Sequence, residues 1–217
     1  QFFLPWVQPG LIATSSAEHI DILSHNQAAG LSLSVEMTVN DVPIKKDLNV
    51  IGPGDVIGID SRQVIRTEPP PGATGFEPNY FPAVEFDRPD FPWLFTPVKA
   101  GNQGILRPWL CLIVVRKQPG IKQRTGDPLP VLEIGQPAKP SDELPDLSES
   151  HLWAHAQITG ASINDLEAAL TSSPERTLSR LLCPRRLEPS TDYLACVVPS
   201  FEVGRKAGLN EPANEDK

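Results

Sequence analysis

The order of hydrophobic and polar residues predicts a β-hairpin in the first quarter of the chain. In residues 31–39 (LSLSVEMTV), apolar side chains recur at every second position, which is the pattern of a strand with one buried face. Asn40 and Asp41 supply turn residues, and residues 42–50 follow as a second strand, where Pro43 marks an edge or a strand start. We therefore expect two antiparallel strands joined by a tight turn.

Shorter apolar runs predict four further strands. Residues 106–116 (LRPWLCLIVVR) are apolar almost throughout, which indicates a central strand buried on both faces. A short strand is expected at residues 56–59, after the turn GPGD. Residues 152–158 (LWAHAQI) alternate, and residues 192–199 (DYLACVVP) form the last strand.

Two short helices are predicted between the last two strands. Ser162 is a suitable N-cap for a helix over residues 164–170. The sequence Ser-Pro-Glu at residue 173 favours the start of a second helix, which would run to Cys183 before Pro184 ends it.

Prolines and aromatic residues dominate residues 67–97 (TEPPPGATGFEPNYFPAVEFDRPDFPWLFTP). Each proline lacks a backbone N–H and fixes φ, so we expect an ordered, extended ribbon rather than a helix. Its aromatic side chains can bury large apolar areas on the same domain or on a neighbouring subunit. We predict Trp93, Phe95, Tyr80 and Phe81 as partner-contacting residues. The alternative is that Trp93 and Phe95 close the core of their own domain.

These elements predict an α+β fold dominated by β structure, in two small lobes with long Pro-rich irregular segments. Residues 1–116 would form a β-rich lobe with the hairpin and the ribbon. Residues 117–150, with six prolines, would form a Pro-rich connection on the surface. Residues 151–217 would form a small α+β lobe in the order strand, helix, helix, strand, with a polar tail. Because the sequence begins with Gln1 and ends in NEPANEDK, we expect a piece of a longer protein.

Composition narrows the classes of function. A net charge of −8 argues against binding to nucleic acid or to anionic lipid through clustered Lys and Arg. The longest apolar runs, such as residues 109–115, fall far short of the ~20 residues that cross a bilayer, so no direct membrane insertion is expected. Cys111, Cys183 and Cys196 lack metal-ligand spacing and are predicted to be buried free thiols in a reducing compartment.

The histidines are weak candidates for a metal site. His151 and His155 would lie about 13 Å apart on one face of a strand, at ~3.3 Å per residue, which is too far for one metal ion. His19 and His25 would point to different faces of a helix. We predict no catalytic residue, no metal and no cofactor.

Three carboxylates flank Arg88 in the ribbon: Glu85, Asp87 and Asp90. Paired carboxylates can catalyse proton transfer or hold a divalent cation. We favour ion pairs with Arg88 and Arg107 that fix the ribbon in place. The turn GPGDVIG opens into a predicted strand, so it offers no helix N-terminus for a phosphate.

Five blocks are spread along most of the chain: FLPWVQPG (residues 3–10), GPGDVIGID (52–60), the ribbon (67–97), LRPWLCLIVV (106–115) and LLCPRRLEPSTDYLACVVPSFEVGRKAGL (181–209). Together they resemble the amino-terminal region of a large uncharacterised structural protein found with contractile injection systems. These systems are phage-tail-like particles with a sheath, an inner tube, a baseplate and a cap.

The resemblance implies a non-enzymatic structural subunit at one end of such a particle, in the cap or the baseplate. Its implied partners are sheath, tube, cap or baseplate subunits, arranged as a cyclic homo- or hetero-oligomer. The particle would assemble in the cytoplasm and dock at a membrane or be released. Two alternatives stay open from the residues themselves: a monomeric module that binds a ligand or carbohydrate through an exposed aromatic face, and a cell-envelope hydrolase that uses Glu85, Asp87 or His155.

Overall fold

The computed structural model describes residues 1–7, 31–56, 58–77, 79–98, 100–101, 104–127, 129–160 and 162–211. Strands dominate these residues and confirm the predicted α+β, β-dominated class. The strands are β1 Phe2–Leu4, β2 Leu31–Val39, β3 Val42–Val50, β4 Val64–Glu68, β5 Ala83–Phe86, β6 Leu110–Arg116, β7 Ile121–Arg124, β8 Val131–Ile134, β9 Ala154–Ile158, β10 Thr177–Leu182 and β11 Tyr193–Pro199. The α-helices are α1 Pro140–Glu143, α2 Leu166–Ser172 and α3 Glu202–Gly208.

Five antiparallel strands form the largest sheet, in the order β1-β9-β10-β5-β4. Strands β9 and β10, from the expected second lobe, therefore lie between β1 and β5, from the expected first lobe. Residues 1–116 and 151–211 do not form separate sheets, which corrects the expected arrangement of strands into two lobes. The physical reason is that β10 buries its alternate side chains Thr177, Ser179 and Leu181 against strands from both halves of the chain.

Strand β6 lies at the centre of the core and pairs with β11 in a two-stranded sheet. Leu112 and Val114 belong to the main core, which also contains Trp93 and Trp109. The intervening side chains of β6, such as Ile113, pack in a second cluster against β8 and the start of β7. The prediction that this strand is buried on both faces is confirmed, although it pairs with one strand instead of lying in the middle of a wide sheet.

The segment expected to be a surface connection contains regular structure. Within residues 117–150, β7 and β8 form an antiparallel hairpin, α1 begins at Pro140, and a 3-10 helix covers Leu147–Trp153. Partly buried Ile121, Leu132 and Ile134 of the hairpin pack against the second cluster. The expectation of an irregular connection is wrong because these few apolar residues suffice to hold a short hairpin against β6.

Most of the smaller predictions are confirmed, and two are wrong. The hairpin β2–β3 turns at Asn40 and Asp41, with φ of 50° and 63°, and α2 and β11 form near their predicted positions. The described part of residues 56–59 is not a strand. The predicted helix over residues 173–183 is instead a 3-10 turn, Pro174–Arg176, followed by β10.

Candidate interaction surfaces

A group of aromatic side chains lies at the surface where the ribbon meets the 3-10 helix Leu147–Trp153. Tyr80 and Phe81 are 66% and 46% exposed. The Phe81 ring meets the half-buried Trp153 ring edge-on at 5.8 Å, and Tyr80 meets Phe76 edge-on at 6.4 Å. We call Phe76, Tyr80, Phe81 and Trp153 the aromatic patch.

The aromatic patch stands on a fixed base. Directly after Phe81, Pro82 is buried and its carbonyl accepts the N–H of Cys183 at 2.9 Å, which extends the pairing of β5 with β10. Before Tyr80, a backbone turn closes from its N–H to Glu77 O at 3.0 Å. The exposed rings therefore project from backbone that the core sheet holds in place.

A second apolar surface covers one face of the hairpin β2–β3. Met37, Val39, Val42 and Ile44 lie on the same face in paired positions, and they are between 44 and 58% exposed. The opposite face is polar, with an ion pair of 3.3 Å between Glu36 and Lys45 and a hydrogen bond from Ser34 to Asp47. We call the four apolar side chains the hairpin face.

Two of the four predicted contact residues, Trp93 and Phe95, pack in or against the main core. Trp93 is fully buried, and its indole N–H donates to Leu106 O at 3.2 Å. Phe95 is partly buried and packs edge-on against Trp109 at 4.9 Å. Tyr80 and Phe81 are exposed, as a contact residue must be. For Trp93 the alternative reading, closure of its own domain, agrees with the structure.

The ribbon carboxylates form ion pairs that differ in part from those expected. Asp90 accepts from Arg88 at 3.0 and 2.8 Å, as predicted. Glu85 accepts from Arg180 on the neighbouring strand, with Nε at 2.9 Å. Arg107 donates to the Ser200 carbonyl and lies 4.5 Å from the Phe201 ring centroid, so its expected role in fixing the ribbon carboxylates is wrong. Burial lowers the pKa of Arg107.

The two described histidines, His151 and His155, are both half-buried. His155 on β9 contacts the Phe3 ring at 5.2 Å and lies 3.4 Å from Arg180 Nη1. Burial lowers the pKa of His155, and the charge of Arg180 lowers it further. His151 is half-buried in a 3-10 helix, while His19 and His25 lie outside the described residues. Within the part of the chain that the structure describes, no group of three or more His, Cys, Asp or Glu is placed to hold a metal ion.

A buried carboxylate network, which sequence reasoning missed, joins α1 to β6 and to the segment after β10. The Glu143 side chain is 1% exposed and accepts from the Arg116 backbone N–H at 2.9 Å, from Gln118 at 2.8 Å and from Arg185 at 2.6 Å. Burial alone would raise the pKa of Glu143. The hydrogen bonds from Arg116 and Arg185, with the charge of Arg185, outweigh that effect and hold the pKa below its ordinary value.

An apolar cleft of about 280 Å³ opens between β11, the hairpin β7–β8 and α3. Leu132, Val198 and Val56 are typical of its described lining, to which Gln123 and the partly buried Cys196 add polar atoms. Burial raises the pKa of the Cys196 thiol, so the group stays protonated near neutral pH.

The three cysteines are free thiols, as predicted. Cys111 and Cys183 are buried, whereas Cys196 is only partly buried. Burial raises the pKa of the Cys111 thiol to about 12, and it also raises the pKa of the Cys183 thiol. All three thiols are therefore poor nucleophiles in the folded chain.

No helix among the described residues is long and apolar enough to cross a membrane. Comparison of the chain with models of protein families, with curated proteins and with solved structures gave no match.

Proposed function

We propose that this chain is a structural subunit of a contractile injection particle and that it acts through contacts with neighbouring subunits in the cap or the baseplate. The observation that carries this proposal is the exposure of the aromatic patch. Large aromatic side chains are enriched at the centres of protein interfaces, where they supply most of the binding energy. Tyr80 and Phe81 are exposed, yet the backbone beside them is fixed, so little ordering entropy opposes binding there.

The kind of assembly follows from the resemblance of the sequence blocks, and the surface chemistry suits it. The ribbon, residues 67–97, is the longest of the aromatic blocks, and the patch contains three of its residues, Phe76, Tyr80 and Phe81. The expected partners are the sheath, tube, cap or baseplate proteins of the particle.

The test isolates tagged full-length chain under gentle conditions from the cells that encode it, and measures the mass of the complex and the identity of its companions. Wild type is compared with a double variant, Tyr80→Ser with Phe81→Ser. The matched control is Ile65→Ser, which also removes an exposed large apolar side chain but lies on β4. Unchanged thermal unfolding of each purified variant shows that the fold is intact.

We expect wild type and the control to be recovered in a particle with sheath and tube proteins, and the double variant to be recovered free of it. Recovery of the wild type as a single 23.7 kDa chain would overturn the proposal. Recovery of the double variant in the particle would show that assembly does not depend on the aromatic patch.

A carbohydrate-binding module is a second candidate, because exposed aromatic rings on a packed domain also suit stacking against sugar rings. It predicts that the single chain binds glycans and that the double variant loses this binding. Glycan-array binding by wild type, together with recovery outside any particle, would favour this candidate over the structural subunit.

A further inference from the structure

The hairpin β2–β3 forms a sheet of its own. Its two nine-residue strands pair along their whole length, and the described residues add no third strand. An isolated two-stranded hairpin is only marginally stable in water, and a third strand or a packed face is needed to stabilise it. The four side chains of the hairpin face are between 44 and 58% exposed, so the described residues leave much of their surface uncovered.

The outer edge of β3 is protected against pairing. The turn at Asn40 and Asp41 has two residues with positive φ, so the flanking pair, Val39 and Val42, is hydrogen-bonded across the hairpin. Bonding alternates along the strands, which places the backbone of Pro43 on the outer edge of β3. Proline has no N–H to offer there, so this edge resists a further strand.

Among the described residues, no strand pairs with the outer edge of β2. By the same alternation, the N–H and C=O groups of Ser34, Glu36 and Thr38 point away from β3. None of these residues is a proline or a lysine, and the one charged side chain, Glu36, is already paired with Lys45 inside the hairpin. The hairpin therefore has one edge that accepts a strand and one that does not.

We propose that the open edge of β2 pairs antiparallel with the same edge of a second copy of this chain. The register with full overlap of Leu31–Val39 puts the two-fold axis at Val35. It places Glu36 opposite Ser34 of the partner subunit, which avoids two like charges facing each other. The product is a four-stranded sheet in the order β3-β2-β2-β3.

Two features make a second copy the occupant. When two copies pair, the open β2 edge of each copy is occupied by the other. The edges that remain are the two β3 edges, which Pro43 protects, so the assembly is complete at two chains. At their exposed fractions, the four side chains of the hairpin face present roughly 350 Å² of apolar surface, well below the ~800 Å² per partner of a standard interface. That face alone is therefore too small for a standard interface, whereas pairing through the β2 edge places each hairpin in a four-stranded sheet, beyond the three strands that independent stability requires.

This inference goes beyond the proposed function, because it predicts that the purified chain forms a dimer whether or not other subunits are present. The test is sedimentation equilibrium of purified full-length chain over a range of concentrations. The variant is Glu36→Pro, and the matched control is Lys45→Pro. These residues face each other in the hairpin, so both variants lose the same ion pair, but Glu36→Pro blocks the β2 edge whereas Lys45→Pro alters the protected β3 edge.

We expect wild type and Lys45→Pro to be dimers of a 23.7 kDa chain, and Glu36→Pro to raise the dimer dissociation constant at least about tenfold. A second readout, hydrogen exchange, should show amide protection at Ser34 and Thr38 that is lost on dilution of the wild type. A wild type that is monomeric at ~100 µM would overturn the inference. This outcome includes the case in which other residues of the same chain cover the β2 edge. Equal weakening by both proline variants would also overturn it, because the open edge would then have no special role. Particle recovery does not enter this test, so its failure is distinguishable from failure of the proposed function.

Discussion

Replacing Glu143 by glutamine should destabilise the fold more than neutralising an exposed carboxylate such as Glu188. The substitution keeps the size of the side chain, but it puts an amide N–H₂ among donors from Arg116, Gln118 and Arg185. Breaking a buried ion pair costs about 3–5 kcal/mol, because the remaining charge loses its partner in a poorly solvated place.

Three remaining contacts reduce that cost to about 3 kcal/mol. Arg185 keeps the carbonyls of Val114 and Asp142 as acceptors, at 2.8 and 3.0 Å, and Arg116 keeps an ion pair of 2.6 Å with Glu188. With a urea dependence of about 2 kcal/mol/M, the unfolding midpoint should fall by about 1.5 M. The control is Glu188→Gln, which removes a carboxylate from the same Arg116 where it is 56% exposed and should cost less than about 1 kcal/mol.

The effect of Glu143→Gln should also depend on pH. The pKa of Glu143 is lowered in the folded chain, so its stabilisation is fully present above the unfolded pKa of about 4.3 and is lost as pH falls through the folded value. Glutamine does not titrate, so the difference in unfolding free energy between wild type and variant should be largest near neutral pH and shrink below about pH 4. Equal losses in Glu143→Gln and Glu188→Gln, or a difference that does not change with pH, would refute this reasoning.

Two further predictions concern packing. In native protein at neutral pH, maleimide should modify partly buried Cys196 before the buried Cys111 and Cys183, as read by peptide mass spectrometry; simultaneous modification of all three would contradict their burial. Gly204→Ala should lower stability by about 1–3 kcal/mol, because the added Cβ would lie 2.8 Å from Pro199 Cβ, whereas Gly75→Ala, with nothing within 4 Å, should not do so. Thermal unfolding of both glycine variants measures the difference, and equal unfolding temperatures would contradict the close packing.

Local pattern was sufficient for elements that carry a strong period. The continuous apolar run of β6 predicts a strand buried on both faces, which the structure has. The alternation in β2 predicts the strand itself, but the buried face expected for it is wrong for Met37 and Val39, which are exposed. In β10 the buried positions hold Thr177, Ser179 and Leu181, whereas two leucines lie at the less buried positions, so the residues show no apolar alternation and the Ser-Pro-Glu start before them predicts a helix. A strand forms there because burial of alternate residues against the neighbouring strands outweighs a local helix signal.

The candidate surfaces depended on information that a single sequence does not hold. Trp93 and Tyr80 occur in the same aromatic ribbon, yet one is fully buried and the other is mostly exposed. Which of them faces outward is decided by the register of β5 against β10 and by the turn before it. Glu143 gave no signal because its partners Arg116 and Arg185 lie 27 and 42 residues away in the sequence.

The order of strands in the main sheet has a consequence for the chain during its synthesis. Phe2 pairs with Ile158 and Ala83 pairs with Leu182, so this sheet cannot close until nearly all of the described chain has left the ribosome. The hairpin β2–β3 needs only residues 31–50 and can form within microseconds. At ~5–20 residues per second, roughly ten seconds pass before β10 is available, and during this time the marginally stable hairpin can form and open repeatedly. Nascent chains on one messenger thus present their hairpins to each other while the rest of each chain is still unfolded, and association can begin before folding is complete.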